Sequence, residues 1–422
     1  MEEKFASLEK YNFRNGNVLE LGYVRKEYLR KIFYYTGNNL IKVLVGQRRV
    51  GKSYLLRQIA QQLIDGGANP HNILYINKEF TDFDYLTDYK ALETLLKYYQ
   101  SNLHLVRKIY LFIDEIQNIT GWEHFVNSYS QNFVENCEIF ISGSNSKMLS
   151  GELASLLSGR YVSFEVFPFS FDEYLGICNQ TASKQTFIEY MQSGGLPELF
   201  ALPNNETKRH YISAVKDTVL LRDIIQRHSI KDPKLLEDIF AYLVNNVSNL
   251  FSINNIVNFF KSNGRRTTYD TLSTYIGYIE DTFLIHKAER YNIKGKEIIS
   301  GNCKYYINDL SFKNYLYPGF AYGIGYQLEN LIYLQLRCSD YHVYVGAMRD
   351  KEIDFVAQKG ERIIYIQSAY LLSDEQTIRR EYAALEAIPD NYEKMVVSLD
   401  DITFPSNNGI QHSQAWKLPE RL

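Results

Sequence analysis

Three short runs hold residue types able to do phosphate chemistry: GQRRVGKS at Gly46–Ser53, the pair Asp114-Glu115 closing IYLFIDE, and SGSN at Ser142–Asn145. The first has the spacing G-x-x-x-x-G-K-[ST]. Its glycines let the backbone fold tightly enough for N–H groups to face phosphate oxygens, and a helix starting there points its positive end at the same anion. Lys52 is placed to neutralise β- and γ-phosphates and the Ser53 hydroxyl to ligate magnesium, so ATP and Mg2+ are the expected cofactors. Gly46, Gln47, Arg48, Arg49, Val50, Gly51, Lys52, Ser53 and Tyr54 together form the expected nucleotide cradle, with Arg48 and Arg49 facing the base, a neighbour or solvent. Asp114 is assigned to magnesium through its water shell, and Glu115 to orienting and polarising the attacking water. In SGSN, Asn145 is the candidate link between the acidic pair and the γ-phosphate because its amide both donates and accepts; Ser142 and Ser144 are close rivals. Arg160, in LLSGRY, is the candidate for the cation that a neighbouring subunit brings to the developing charge.

Such residues need a scaffold that delivers them to one edge. From Ile41 to about Phe167 the runs IKVLV, NILYIN, KIYLFID and EIFISG alternate with helical stretches, the pattern of βαβ units and a parallel sheet. Helical periodicity dominates Ser170 to Ile285, punctuated by GGLP, ALPNN and Asn263-Gly264. Beyond Arg290, the runs CKYYIND, HVYVGA, EIDFVA and RIIYIQS surround a helix near Gly325–Leu336. The expected fold is therefore α/β, with a P-loop domain over 1–200, a helical region over 201–295 and an α+β domain over 296–422. Two helices flank Asn263-Gly264, and AERYNIKGKEI could follow as a basic hairpin wing. Arg265, Arg266, Lys287, Arg290, Lys294 and Lys296 would then meet DNA phosphates without reading sequence.

Composition narrows the partners. A chain of 422 residues with 45% hydrophobic and 23% charged residues is long enough for several cores, and its 35 tyrosines and 24 phenylalanines are expected to fill them. A formal charge of −3 gives no global attraction to nucleic acid, so any DNA contact must be local. Cys137, Cys178, Cys303 and Cys338 lie far apart with no zinc-type spacing, and are expected as reduced structural thiols. The N-terminus lacks the pattern of a signal peptide, and no apolar run approaches the ~18 residues needed to span a bilayer. The expectation is a cytoplasmic protein with no membrane partner.

The motifs in this order resemble those of AAA-type prokaryotic ATPases that carry a C-terminal restriction-endonuclease-like domain of unknown function, the AAA plus DUF4143 architecture. The likeness runs through YVRKEYL, VGQRRVGKSYLLRQI, LFIDEIQNI, SGSNSKML and LSGRY, then FEVFPFSFDEYL, GGLPEL, LLRDI, YYINDL and EIDFVAQ. It implies an AAA-type ATPase module, a helical and winged-helix middle, and a PD-(D/E)XK-like end. Restriction-like nucleases place an acid on one strand and E-x-K on the next. Asp354 supplies the first acid and Glu329 a helical one, but Gln367 and Ala369 stand where the second acid and the lysine belong, so nuclease activity is not expected. The expected function is Mg-dependent ATP hydrolysis by a homo-oligomer, a ring with the hexamer as one form, that binds and moves or remodels DNA, branched DNA included. The alternatives are an ATP-dependent oligomeric switch acting on a protein partner without DNA, and an interaction protein with ATP as a structural ligand.

Overall fold

The four apolar runs of the first half are strands β1 (Ile41–Val45), β2 (Ile73–Asn77), β3 (Ile109–Asp114) and β4 (Cys137–Gly143). They belong to a computed structural model that describes residues 8–13, 17, 19–103, 108–131, 136–149, 157, 159–318, 323–348 and 351–422. A fifth strand, β5 (Tyr161–Glu165), completes a parallel sheet in the order β2-β3-β4-β1-β5. It was not foreseen because YVSFE is an edge strand, mostly part-exposed and broken by a polar residue. Helix α1 (Lys26–Phe33) precedes β1, and between the strands run α2 (Lys52–Asp65), α3 (Tyr89–Leu103) and α4 (Trp122–Ser130). All of β1 is buried, including Lys42, whose ammonium lies 2.6 Å from Glu138 Oε1 on β4 while Lys108 holds the other Glu138 oxygen at 2.6 Å. A lysine fits a central strand here because its charge is paired in place.

The chain separates into two compact units, Met1–Val166 and Phe167–Leu422. In the second unit, α5 (Phe171–Cys178), α6 (Lys184–Ser193) and α7 (Asn205–Thr218) lead into a π-helical stretch, Val219–Gln226, that contains LLRDI. There follow α8 (Pro233–Asn245), α9 (Ile253–Ser262), α10 (Tyr269–Asp281), α11 (Ser311–Leu316), α12 (Ile324–Cys338) and α13 (Glu375–Glu386). Ser170, Ser183, Asn204, Asp232, Ser252, Thr268 and Asp374 each accept a backbone N–H from the first turn that follows, which fixes where these helices start.

A seven-stranded sheet, β12-β11-β10-β9-β8-β6-β7, is built from β6 (Ile285–Asn292), β7 (Glu297–Ile307), β8 (His342–Met348), β9 (Lys351–Lys359), β10 (Arg362–Ala369), β11 (Glu393–Ser398) and β12 (Gln411–Gln414). The segment α12-β8-β9-β10-α13-β11 has three antiparallel strands followed by one parallel to β10. The β6–β7 hairpin, expected as a basic wing, is instead the margin of this sheet: Arg290, Tyr291 and Asn292 pair with Val345, Gly346 and Ala347 of β8. Buried Ile285, Ala288 and Ile293 on that hairpin supply the reason, since a free wing would leave them in water. The hairpin also spans the 295/296 division, joining both segments in one sheet.

The GGLP and YYINDL motifs meet at one buried carboxylate. Asp309 Oδ2 accepts the Gly195 N–H at 2.7 Å, and its Oδ1 accepts the Ser311 N–H at 2.8 Å. Gly194 sits at φ 78°, ψ −178°, a region essentially closed to other residues, and a Cβ there would run into Asp309 Oδ1. Gly194→Ala is expected to cost about 1–3 kcal/mol for the backbone alone. A urea-unfolding midpoint equal to the parent's would contradict this.

Candidate functional site

Gly46 (φ 148°) and Gly51 (φ 95°) turn the chain between β1 and α2, and a Cβ on Gly46 would strike the Val166 carbonyl. Arg49 also adopts a left-handed conformation, φ 68°. No side chain caps the start of α2, so its first-turn N–H groups are not taken by a capping side chain. Lys52 is buried, and its ammonium donates to the carbonyls of Gly46 and Gln47, both at 2.9 Å. It lies 3.8 Å from Glu115 Oε1. Burial pulls the Lys52 pKa down, opposed by the charges of Glu115 and Asp114.

Asp114 ends β3 fully buried, and four groups converge on it. Ser142 donates to Oδ1, Tyr75 and Asn77 donate to Oδ2 at 3.0 and 3.1 Å, and the Ser53 hydroxyl bonds the same carboxylate. Burial and the neighbouring Glu115 charge raise its pKa against these bonds. Glu115 occupies the left-handed region, φ 55°, a strained conformation for a residue with a side chain. Its Oε2 accepts from Gln117 at 2.5 Å and Ser144 at 3.1 Å. Burial pushes Glu115 up, but Lys52, Arg48 and these two donors together hold its pKa below the usual carboxylate range, so it is ionised at neutral pH. A carboxylate and a hydroxyl side by side form a hard-oxygen pair of the kind magnesium takes from protein when phosphates and water supply the rest. Among the described residues, no group of three or more His, Cys, Asp or Glu could hold a metal ion.

Of the two serines weighed against Asn145, Ser142 links Asp114 to the Glu115 N–H, which it accepts at 3.1 Å, and Ser144 reaches Glu115. Asn145 lies buried one residue further on. Arg48 pairs with Glu79 at 2.7 Å; Gln47 and Val50 are buried in the loop. Tyr54 turns toward Gly22, where a Cβ would come within 2.8 Å of its ring, and lies 4.1 Å from the Arg57 guanidinium. Exposed Arg160 accepts the Ile41 N–H through its carbonyl, at the opening end of β1. The loop follows the other end, about 15 Å away at ~3.3 Å per residue, so Arg160 stands well away from the Gly46–Ser53 loop of its own chain.

Tyr75 and Asn77 were overlooked in NILYIN, where they resemble ordinary strand residues. The signal was register: Asn77 pairs with Asp114 across the parallel β2–β3 ladder, and Tyr75 shares its face. Buried Arg25, within YVRKEYL, was also missed; it donates to the Val50 carbonyl at 3.2 Å, and its N–H is accepted by Gln58 of α2 at 3.1 Å.

In the second unit, Glu329 of α12 and Asp354 of β9 do come together, around a residue that no local motif singles out. Lys304 of β7 places its ammonium 2.9 Å from Glu329, 2.8 Å from Glu352 and 3.6 Å from Asp354. Asp354 also accepts the Ser368 N–H and hydroxyl, each at 2.8 Å; Gln367 accepts the Asp354 N–H at 3.4 Å, and Ala369 is buried. Of the six basic residues expected to face phosphate, Arg265 is taken up by Asp232 at 3.1 Å and by Asp238, and Lys287 by Glu289 at 3.1 Å. Arg266, Lys294 and Lys296 are exposed, and Arg290 is half-buried.

A parallel sheet ordered β5-β1-β4-β3-β2, with a phosphate loop after β1 and an acidic pair after β3, defines a P-loop ATPase fold of the AAA type. Residues 38–175 match the AAA domain family. Residues 184–322 match a domain of unknown function, DUF8612, where the resemblance had suggested DUF4143. An uncharacterised protein of Haemophilus influenzae is 34% identical over 378 residues, 89% of this chain and 92% of that one. The uncharacterised protein MJ1544 of Methanocaldococcus jannaschii is 30% identical over 367 residues, 83% and 79% of the two chains. The chain belongs to one family with these two uncharacterised relatives, and its residues 38–175 are an AAA, P-loop ATPase-type domain. Among solved structures, the Walker-type ATPase of Pyrococcus abyssi is similar at 16% identity and TM-score 0.43, over 70% of this chain and 95% of that one. The RuvB Holliday junction branch migration motor of Thermotoga maritima is similar at 18% identity and TM-score 0.31, over 62% and 87%. Among the described residues no helix is long and apolar enough to cross a membrane.

Proposed function

We propose that this chain hydrolyses ATP with magnesium at the Gly46–Ser53 loop. The observation that carries the reading is the convergence of Lys52, Ser53, Asp114 and Glu115 from separate elements: Ser53 bonds Asp114, and Lys52 lies 3.8 Å from Glu115. Lys52 would trade its two carbonyl partners for β- and γ-phosphate oxygens. Magnesium, held by Ser53 and by Asp114 through water, would neutralise charge on those phosphates. Glu115, kept ionised, would align water and take its proton, while Ser142 joins both acids to the end of β4. Because Arg160 stands well away from its own loop, the reading has it serve a neighbouring subunit, in a ring with the hexamer as one form. Asn145 would report the γ-phosphate from beside Ser144.

The second unit would dock on DNA, with Arg266, Lys294 and Lys296 exposed for phosphate contact, and ATP turnover would move or remodel that DNA. The αβββαβ order of α12 to β11, with Glu329 and Asp354 gathered around Lys304, supports a nuclease-like core, and Gln367 and Ala369 in place of the second acid and the lysine of E-x-K support its inactivity. A second reading, an ATP-dependent oligomeric switch acting on a protein, is favoured by the internal pairing of Arg265 and Lys287, which thins the basic set. ATPase rates with single-stranded, duplex and four-way-junction DNA over a salt series separate the two. Stimulation that fades steeply with salt is expected, and indifference to every form would leave the switch.

A further inference from the structure

Gln117 stands two residues past the acidic pair, outside the roles assigned above. Its Nε2 lies 2.5 Å from Glu115 Oε2 and 3.4 Å from Ser144 Oγ, and the Ser144 hydroxyl donates to the same Glu115 oxygen at 3.1 Å. An ionised carboxylate only accepts, so the NH2 edge of the amide must face it and the carbonyl edge must face away. That carbonyl oxygen is buried without a hydrogen-bond partner, and a Cβ on Gly143 would come within 2.7 Å of it. Gly143, at the end of β4, therefore leaves the room this amide occupies. Leaving a buried acceptor unpaired is unfavourable, which makes the donor edge the reason for the arrangement.

The other Glu115 oxygen, Oε1, is 3.8 Å from the Lys52 ammonium. The carboxylate is thus tied at one oxygen by two donors and turned with the other toward the phosphate-binding lysine. We infer that Gln117, together with Ser144, is a positioning residue for Glu115: holding Oε2 presents Oε1 to the attacking water. The inference rests on the reading of Glu115 as the group that aligns water. Gln117 and Ser144 touch neither nucleotide nor water in this role; they act through Glu115 by removing its rotational freedom, the kind of orientation that decides whether a base is productive.

Gln117→Met keeps the side chain's length and removes its N–H donors; Ser144→Ala removes the hydroxyl, and Ser144→Thr retains one. For the full chain, kcat for ATP and the Kd of a fluorescent ATP analogue are measured beside Glu115→Gln. Gln117→Met and Ser144→Ala are each expected to lower kcat by about tenfold, a fraction of what a base contributes, with Kd unchanged and with Ser144→Thr close to parental. Parental kcat in both loss variants, a raised kcat, or a kcat loss matched by an equal loss of affinity would overturn the positioning role. If Glu115→Gln is inactive while Gln117→Met turns over normally, only this inference falls. If Glu115→Gln itself turns over normally, the reading of Glu115 falls first.

Discussion

Glu115→Gln is expected to lower ATP turnover by about 10²- to 10⁴-fold while the protein still retains ATP. The amide preserves shape and can take similar hydrogen bonds, but it cannot accept a proton from water. Lys52, Arg48, Gln117 and Ser144 hold Glu115 ionised against the effect of burial, so the native carboxylate can accept a proton at neutral pH where the amide cannot. Lys52→Ala should behave differently. It removes the cation beside the Gly46 and Gln47 carbonyls, so nucleotide retention and turnover are both expected to be lost. Equilibrium binding of a fluorescent ATP analogue, paired with phosphate release, distinguishes the two variants. A Lys52→Ala protein that hydrolyses ATP as fast as its parent would remove the basis for an ATPase here.

Lys304→Met is expected to destabilise the second unit by about 3–5 kcal/mol, the usual cost of stripping one partner from a buried ion pair. Glu329, Glu352 and Asp354 surround that ammonium, and Glu329 is buried with Tyr306 donating to it at 2.8 Å. Burial and then the neighbouring Asp354 charge push Glu329 up to about 8, with Lys304 opposing them. The folded form therefore keeps a proton on Glu329 that the unfolded chain releases near its ordinary value of about 4.3. The contribution to stability from this group falls as pH rises through the window between those values. The urea midpoint of the parent should decline from pH 6 to pH 9, and Glu329→Gln should flatten that decline. A Lys304→Met midpoint equal to the parent's would mean that the cluster is solvated and contributes little.

The phosphate loop was legible because everything it needs lies in consecutive residues. Gly46, Gly51, Lys52 and Ser53 are set by one turn and the first turn of α2, so spacing alone encodes their geometry. The four strands of the first sheet were legible because strands buried on both faces read as continuous apolar runs. Two of the strands that were lost depart from that rule: β5 is mostly part-exposed, and β12, with sequence QHSQ, has no apolar residue at all; β11 was lost as well, although its short Met395–Val397 run is buried. Likewise, AERYNIKGKEI carried a hairpin signal, but nothing local revealed that Arg290 to Asn292 would pair with β8, some fifty residues later.

By itself, the sequence determined that this chain builds a glycine-rich turn with phosphate-loop spacing and sets an acidic pair at the end of a buried strand, since both follow from short-range backbone constraints. Tertiary structure alone decided which neutral and charged side chains surround those acids. Tyr75, Asn77, Ser142 and Ser144 reach Asp114 and Glu115 through parallel register between β2, β3 and β4, and Lys304 reaches Glu329 and Asp354 across a sheet assembled from distant segments. Such contacts depend on which strand ends up beside which, a choice made by burial of whole faces and recorded in no local spacing.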